Sequence, residues 1–219
     1  MEKLICGVDE AGRGPVIGPM VMCGILVKEK NINKLKEIGV KDSKLLSKKQ
    51  REFLYNEVLK IVEDYKVTIS YPEEIDEHVF SEESNLNKLE AKKSAEIINE
   101  LKPDKAILDC PSNNVEAYTD YLSSLLNFKV KELVLEHKAD LNYVEVGAAS
   151  IIAKEIRERE VEKIKKEIKE DTGSGYPADP KTKEFIKENY EKHSKYMRKS
   201  WQTYKNLIKK KEEKSLLDY

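Results

Sequence analysis

Four acidic side chains lie where short apolar runs of the sequence end. These runs predict β-strands, and the acids at or just after their C-terminal ends are Asp9, Glu10, Asp109 and Asp140. One acid in such a place is most often a cap or loop residue, but burial of an isolated charge is costly, so acids after three separate strands of one sheet need another explanation. Carboxylates brought together would raise each other's pKa unless a cation lay among them. Oxygen ligands without a nearby His or Cys pattern favour Mg²⁺ or Mn²⁺ over zinc, and such a cluster suits the two-metal hydrolysis of a phosphodiester.

The adjacent pair Asp9 and Glu10 sets a geometric condition. Successive residues of a strand point to opposite faces of the sheet, so both carboxylates can reach one metal only if the strand stops here. Ala11 and Gly12 follow directly. We therefore predict that the chain turns at this point and lets Glu10 swing round.

Two glycine-containing loops could contact a nucleic acid. Gly12-Arg13-Gly14 allows positive φ, close approach of the backbone and a guanidinium that can bind a phosphate. By itself such a loop is most often a tight turn, and it is not a P-loop, because the sequence has no G-x-x-x-x-G-K-[ST] motif. In the second loop, Tyr176 stands between a glycine and a proline, where its ring either packs as an anchor or stacks on a sugar or base.

The elements that must position these residues alternate along the chain. The pattern predicts strands over 4–8, 20–27, 66–71, 105–109 and 129–135, and helices over 47–65, 85–101, 115–126, 142–170, 181–191 and 200–214. Strands followed by alternating helices and strands indicate an α/β fold, with a mixed sheet flanked by helices and a C-terminal helical extension. The second half of the 142–170 helix is mostly charged, and we expect it to project into solvent.

The charge of the 219-residue chain is distributed unevenly. Its formal net charge of -1 excludes a globally basic nucleic-acid coat, but residues 1–150 carry -6 and residues 151–219 carry +5. Within 181–211, 11 basic residues stand against 3 acidic ones, interleaved with aromatic residues. This combination suits a polyanion, although a solvated helix whose aromatic side chains pack on the core has the same pattern. The Lys- and Glu-rich composition is typical of hyperthermophiles or of an AT-rich genome.

The cysteines indicate the compartment. Cys6, Cys23 and Cys110 are odd in number and widely spaced, which predicts reduced, mostly buried thiols in a cytoplasmic protein rather than a disulfide framework or a zinc site. No apolar run approaches the roughly 18 residues that a bilayer span needs, and the N-terminal residues predict no signal peptide. We expect a monomer with no membrane partner.

Taken together, several segments of the chain resemble ribonuclease HII, in its archaeal form. The resemblance is carried by residues 7–19, by Asp42-Ser43-Lys44, by 140–143 with 146–154, and by 173–180. It implies a ribonuclease H-like fold, with a catalytic domain over 1–172 and a helical substrate-binding extension over 173–219.

The resemblance also implies an activity and a set of site residues. The activity is that of an endoribonuclease, dependent on Mg²⁺ or Mn²⁺, that hydrolyses the RNA strand of RNA·DNA hybrids and cuts on the 5′ side of ribonucleotides embedded in duplex DNA. It leaves 3′-hydroxyl and 5′-phosphate ends, and a sliding clamp is a candidate partner. The implied metal-binding and catalytic residues are Asp9, Glu10, Asp109 and Asp140, and the implied substrate-binding residues are Gly12, Arg13, Gly14, Lys44, Lys154 and Tyr176. Of the latter, the two lysines would face phosphates, whereas the others would recognise the 2′-hydroxyl and the ribonucleotide–deoxyribonucleotide junction.

Three other classes of protein share part of this pattern. A sugar kinase or actin-like ATPase also begins with a strand that ends in Asp, but it needs phosphate-binding loops after later strands, which this sequence does not have. A non-catalytic module that binds hybrids would keep the basic tail without needing four acids. A general structure-specific nuclease of the same fold is the third alternative, and the expected position of Tyr176 beside the Gly12-Arg13-Gly14 loop argues against it.

Overall fold

In the computed structural model, which describes residues 2–40 and 46–217, five strands form one mixed sheet. They are β1 (Leu4–Ala11), β2 (Met20–Lys28), β3 (Asp64–Ser70), β4 (Lys105–Asp109) and β5 (Glu132–Glu136), and the strand order is β3-β2-β1-β4-β5. β1 pairs antiparallel with β2 and parallel with β4, and β4 pairs parallel with β5. β1 and β2 are buried along nearly their whole length, which explains their almost continuous apolar sequence. The predicted mixed sheet is confirmed.

Helices connect and follow these strands. In the described part of the chain they are α1 (Ile32–Glu37), α2 (Lys48–Ile61), α3 (Pro72–Phe80), α4 (Leu86–Leu101), α5 (Val115–Ser124), α6 (Ala139–Asn142), α7 (Val144–Ile168), α8 (Pro180–Asn189) and α9 (Gln202–Leu217), with 3₁₀ turns at Glu29–Asn31 and Ser194–Tyr196. Ser47 caps α2 through a capping box with Gln50, as its place before the helix predicted. None of the helices described here has the length and hydropathy that crossing a bilayer would take.

The sequence pattern does not predict α1, α3 and α6. These helices have 6, 9 and 4 residues, so they show at most two and a half turns of periodicity. Pro72 looked like the end of a strand, whereas it occupies the first turn of α3, where its missing N–H costs nothing.

The chain divides into two compact units. The first comprises residues 1–11, 21–69 and 87–157, and the second comprises 12–20, 70–86 and 158–219. These units are defined by packing, whereas the predicted boundary between residues 172 and 173 separates a catalytic from a substrate-binding part and stays a prediction.

The core of the first unit lies between the sheet, α2 and the first half of α7. Fully buried side chains from all three meet there, among them Val21, Val58 and Ile152. The start of α7 lies directly against β1: a Cβ added to Gly7 would be 2.3 Å from the carbonyl carbon of Glu145. Only a glycine allows this approach.

The second unit has its own core. Its buried members come from the 12–20 segment, the second half of α7, the turn before α9, and α8 and α9 themselves: Val16, Ile17, Ile164, Ile168, Phe185, Ile186, Met197 and Tyr204. The expectation that the second half of α7 projects into solvent is therefore wrong. Val161, Ile164 and Ile168 are buried at a helical spacing that the surrounding charges obscured.

The three cysteines are free and buried. Burial raises the pKa of the Cys6 and Cys23 thiols, so both are held in the protonated, unreactive form. The prediction of unpaired, buried thiols is confirmed, and the cytoplasmic location inferred from them stays a prediction.

Candidate active site

Asp9 and Asp109 lie on neighbouring parallel strands. The register pairs Val8 with Leu108, so the two acids follow at the same level of β1 and β4. Asp9 is only 7% exposed. Burial first, and then the negative charge of Glu10, raise the pKa of the Asp9 carboxyl well above its ordinary value; the Ser150 side chain opposes this by hydrogen bonding, and Asp109 adds to it.

Asp140 is connected to this pair through the backbone of α6. The Asp109 carboxylate accepts a hydrogen bond from the Ala139 N–H at 2.9 Å, so Asp109 fixes the start of the short helix on which Asp140 lies. Lys138, just before that helix, adopts a left-handed conformation with φ of 60° that turns the chain into it. Asp140 itself is buried and lines a cavity of about 460 Å³ beside Lys36.

Glu10 differs from the sequence expectation. β1 does not end at Asp9: its ladder with β2 continues through Glu10, paired with Met22, to Ala11. The prediction that the chain turns there is therefore wrong, and strand geometry directs Glu10 to the face opposite Asp9. The negative charge of Glu10 adds to the effect of burial in raising the pKa of two side chains, those of Asp9 and Tyr118.

The donor set fits a hard divalent cation in its chemistry. All four acids offer oxygen atoms, which Mg²⁺ and Mn²⁺ prefer, and the mutual repulsion recorded at Asp9 is the kind that a cation removes. Within residues 2–40 and 46–217, however, no three Asp, Glu, His or Cys side chains are grouped tightly enough to share one ion. In these described residues, the acids therefore do not form a ready-made set of three ligands around a single position.

Lys154 lies on the same helix as the residue that contacts Asp9. It follows Ser150 by four residues on α7, and side chains at this spacing share a helix face. Lys154 is half-buried. The other predicted lysine, Lys44, belongs to residues 41–45, which lie outside the described residues, together with Asp42 and Ser43.

The structure brings the two glycine-containing loops together in the second unit. Gly12 has φ of 84°, in the left-handed region that glycine favours. Gly175 accepts hydrogen bonds at its carbonyl oxygen from the N–H groups of Val16 and Ile17, at 2.8 and 3.3 Å. The position that a Cβ would take on Gly14 is 3.7 Å from Cε1 of Tyr176, whose side chain is 43% exposed. The predicted neighbourhood of Gly14 and Tyr176 is thus present.

Sequence reasoning missed the residues that hold the Gly12-Arg13-Gly14 loop. Arg198 and Trp201 donate hydrogen bonds to its carbonyl oxygens. They lie about 185 residues further along the chain, and the sequence shows Arg198 only as one of several basic residues and Trp201 only as a packing residue. No local pattern connects them with the loop.

Comparison with solved structures defines the fold. The crystal structure of the ribonuclease H2 from Pyrococcus horikoshii superposes with a TM-score of 0.85 and 41% identity, covering 94% of this chain and 98% of that one. The structure of the PCNA:RNase HII complex from Archaeoglobus fulgidus gives a TM-score of 0.82 and 39% identity, covering 91% and 95%. The mixed sheet with acids at its strand ends is thus that of the ribonuclease H-like fold.

Sequence comparison gives the family. A family model described as ribonuclease HII matches residues 6–204. The ribonuclease HII of Pyrococcus furiosus is 43% identical over 222 residues, which cover 98% of this chain and 96% of the relative. The chain belongs to the ribonuclease HII family, and its enzyme class is ribonuclease H (EC 3.1.26.4). This assignment excludes the sugar-kinase and ATPase alternative and the non-catalytic binding module.

Proposed function

We propose that this enzyme hydrolyses the RNA strand of RNA·DNA hybrids and cuts on the 5′ side of ribonucleotides embedded in duplex DNA. The products would carry 3′-hydroxyl and 5′-phosphate ends. The observation that carries the proposal is the pairing of Asp9 with Asp109 at adjacent strand positions, with an Asp9 pKa raised by burial and by neighbouring carboxylates. Such a cluster of acids is suited to holding a divalent cation at a scissile phosphate.

Four residues are assigned to the metal, either Mg²⁺ or Mn²⁺: Asp9, Glu10, Asp109 and Asp140. Because β1 directs Glu10 to the face opposite Asp9, the Glu10 carboxylate would have to swing round the edge of the strand when the ion binds. A bound divalent cation supplies Lewis-acid stabilisation of phosphate charge and a water of lowered pKa. The chain's own contribution is to place the carboxylates. Asp109 does so by fixing the backbone at Ala139, and the neighbouring Ser150 side chain lowers the pKa of Asp9 and so favours its charged form. Lys154, one helical turn beyond Ser150, would face a substrate phosphate, and we assign the same role to Lys44.

Recognition of the ribonucleotide is assigned to the Gly12-Arg13-Gly14 backbone and to Tyr176. The 2′-hydroxyl is the group that distinguishes RNA from DNA at a given position. The contact between Gly14 and the half-exposed Tyr176 ring supports a joint role, since one surface could bind the hydroxyl and pack on the adjoining sugar. Because Gly14 and Tyr176 are in contact, we favour a ribonucleotide-specific enzyme over a general structure-specific nuclease.

The proposal is tested with an end-labelled DNA duplex that contains one ribonucleotide. With Mg²⁺ or Mn²⁺ we expect a single cut on the 5′ side of the ribonucleotide, and with EDTA no cut. The all-DNA duplex of the same sequence is the matched control and should stay intact. Equal cutting of both duplexes would refute the 2′-hydroxyl recognition alone, whereas no cut with either metal would refute the proposed substrate.

The basic helices at the C-terminal end would bind the phosphate backbone. α8 and α9 enclose a groove of about 730 Å³ with an apolar floor that includes Ile186 and Leu207, and exposed lysines line it. Because phosphate contacts release counterions, binding through this groove should weaken steeply with salt.

Replacing the three groove lysines Lys183, Lys187 and Lys210 together by Gln should raise KM severalfold and leave kcat nearly unchanged. The slope of log Kd against log salt should fall by about 1 for each lysine that contacts a phosphate. The measurement is steady-state cleavage and duplex binding across a salt series. The control replaces three exposed lysines of the first unit by Gln and so makes the same change of net charge: Lys34, Lys60 and Lys129. A large loss of kcat with KM unchanged would contradict this division of labour.

A sliding clamp is a further proposed partner. The support is the relative from Archaeoglobus fulgidus, which was solved as a complex with PCNA. We propose that this chain is likewise recruited to a clamp, and that it is otherwise a monomer.

A further inference from the structure

We propose that Arg198 and Trp201 are positioning residues for recognition of the 2′-hydroxyl and of the ribonucleotide–deoxyribonucleotide junction beside it. They hold the carbonyl groups of the Gly12-Arg13-Gly14 loop so that its amide groups are presented to the substrate. The inference rests on the proposed function, because it assumes that this loop recognises the ribonucleotide.

Arg198 is the centre of the arrangement. Its side chain is fully buried, and its guanidinium donates through Nη2 to the Gly12 carbonyl oxygen at 2.6 Å and through Nη1 to that of Arg13 at 2.8 Å. A third hydrogen bond runs from Nε to the Gly18 carbonyl oxygen at 3.1 Å, at the far end of the segment from residue 12 to residue 18. One planar guanidinium thus holds both ends of this segment, which an ammonium group cannot reproduce.

Trp201 completes the set. Its indole Nε1–H donates to the Gly14 carbonyl oxygen at 3.1 Å, and its ring lies 4.8 Å from the Arg198 guanidinium carbon in a cation–π contact. Three consecutive carbonyl groups of the loop, at Gly12, Arg13 and Gly14, are therefore bound on one side.

The peptide geometry determines where the amide groups of the loop point. In a planar trans peptide the N–H of a residue points away from the carbonyl of the preceding one, and the peptide bonds of the described residues are trans. With the carbonyl groups of Gly12 and Arg13 turned towards Arg198, the N–H groups of Arg13 and Gly14 face the opposite way. The next residue, Pro15, has no N–H. The loop thus presents two adjacent donors on the face away from Arg198, as binding of a sugar oxygen requires.

A carboxylate on α3 fixes the segment that carries Arg198. Asp76 is buried, and its two oxygen atoms accept hydrogen bonds at 2.8 Å from the backbone N–H groups of Lys199 and Ser200. The Ser200 hydroxyl donates to the same carboxylate, and the Arg198 N–H donates to the Val16 carbonyl oxygen at 2.8 Å. The guanidinium is thus positioned by a backbone that is fixed on both sides.

The test uses Trp201→Phe and Arg198→Lys in the full chain. Trp201→Phe removes one donor and keeps an aromatic ring, and Arg198→Lys keeps the charge and loses the fork. Tyr204→Phe is the matched control, since it removes a hydroxyl that bonds to the Tyr190 carbonyl oxygen in the same core and does not touch the loop. The substrate is a DNA duplex in which one strand carries four successive ribonucleotides, and the readout is the distribution of cuts among them.

The wild-type enzyme should cut mainly at the ribonucleotide next to the 3′ DNA junction. All four ribonucleotides carry a 2′-hydroxyl, but only at this one is the adjoining 3′ sugar a deoxyribose on which Tyr176, in contact with Gly14, can pack. Loss of one hydrogen bond should reduce the preference for that position roughly three- to tenfold in Trp201→Phe, and more in Arg198→Lys, while the control keeps it. A merely structural role would lower the amount of active enzyme, and that loss cancels in a ratio of products.

Two outcomes would overturn the inference. One is an unchanged distribution in Trp201→Phe, which is the milder substitution and answers the question even if Arg198→Lys does not fold. The other is a wild-type enzyme that cuts all four positions equally. Failure of the proposed function would look different, because the wild-type enzyme would then not cut the duplex at all.

Discussion

Asp9→Asn is expected to reduce cleavage of the single-ribonucleotide duplex by about a thousandfold or more, which corresponds to roughly 4 kcal/mol of transition-state stabilisation. Asparagine keeps the shape of the side chain and one oxygen atom but loses the charge that would hold a divalent cation beside Asp109. Binding of the duplex should persist, because phosphate contacts elsewhere do not depend on this charge.

The same substitution has a second readout that does not depend on activity. In the folded protein the Asp9 pKa is raised by burial and by Glu10, so the ionised carboxylate destabilises the metal-free fold. Removing that charge should leave the melting temperature in EDTA equal to or above that of the wild type. Asp120→Asn, the same chemical change at an exposed position of α5, should alter neither cleavage nor melting. Cleavage by Asp9→Asn at close to the wild-type rate would rule out Asp9 as a ligand of the proposed metal.

Gly7→Ala is expected to be the most damaging single methyl group in the described fold. The new Cβ would lie 2.3 and 2.4 Å from the carbonyl carbon and oxygen of Glu145 and 2.6 Å from the nitrogen of Val146. All three are backbone atoms of α7, so no side chain can rotate away, and β1 and the helix must separate. We expect a cost of about 3 kcal/mol or more, and a fall in melting temperature of roughly 6–12 °C.

This substitution should also impair catalysis in the enzyme that remains folded. Gly7 lies two residues before Asp9, and α7 carries Lys154 and Ser150, whose side chain influences the pKa of Asp9. Urea unfolding measures the stability, and kcat corrected for the folded fraction measures the second effect. Gly39→Ala is the control, because a Cβ there meets nothing within 4 Å and only its φ of 86° costs free energy, about 1 kcal/mol. Equal stability losses for the two variants would show that the contact with α7 can relax.

The strands could be predicted because buried strands need runs of apolar residues, which are visible in the sequence. β2 is almost entirely apolar, and β1 and β4 each contain an apolar buried run, so the prediction places all three strands to within a few residues. The end of β1 was misjudged for the same reason, since a charged pair usually ends a strand. The ladder with β2 nevertheless continues through Asp9 and Glu10, because pairing depends on backbone groups and not on the side chains that β1 carries.

The second half of α7 shows where composition misleads. It is rich in Lys and Glu, and the sequence predicts a solvated helix, yet Ile164 and Ile168 lie in the core of the second unit. The three apolar residues Val161, Ile164 and Ile168, at helical spacing, are buried although the residues around them are charged. The residues that hold the glycine loop could not be found by any pattern, since Arg198 and Asp76 act through backbone atoms distant in sequence.

The carbonyl contacts of Arg198 have a consequence for how this enzyme tolerates sequence change. Main-chain donors are the same whatever side chain is attached to them, so under the proposed role of the loop, variation at Arg13 would alter affinity without removing the amide groups that bind the sugar. Because these donors would bind the sugar and not the base, we expect all four ribonucleotides to be recognised equally well. The loop conformation thus depends less on the side chains of the loop than on the buried guanidinium of Arg198, which binds its carbonyl groups. A scan for loss-of-function changes should therefore find Arg198 more sensitive to substitution than Arg13, although it lies about 185 residues further along the chain.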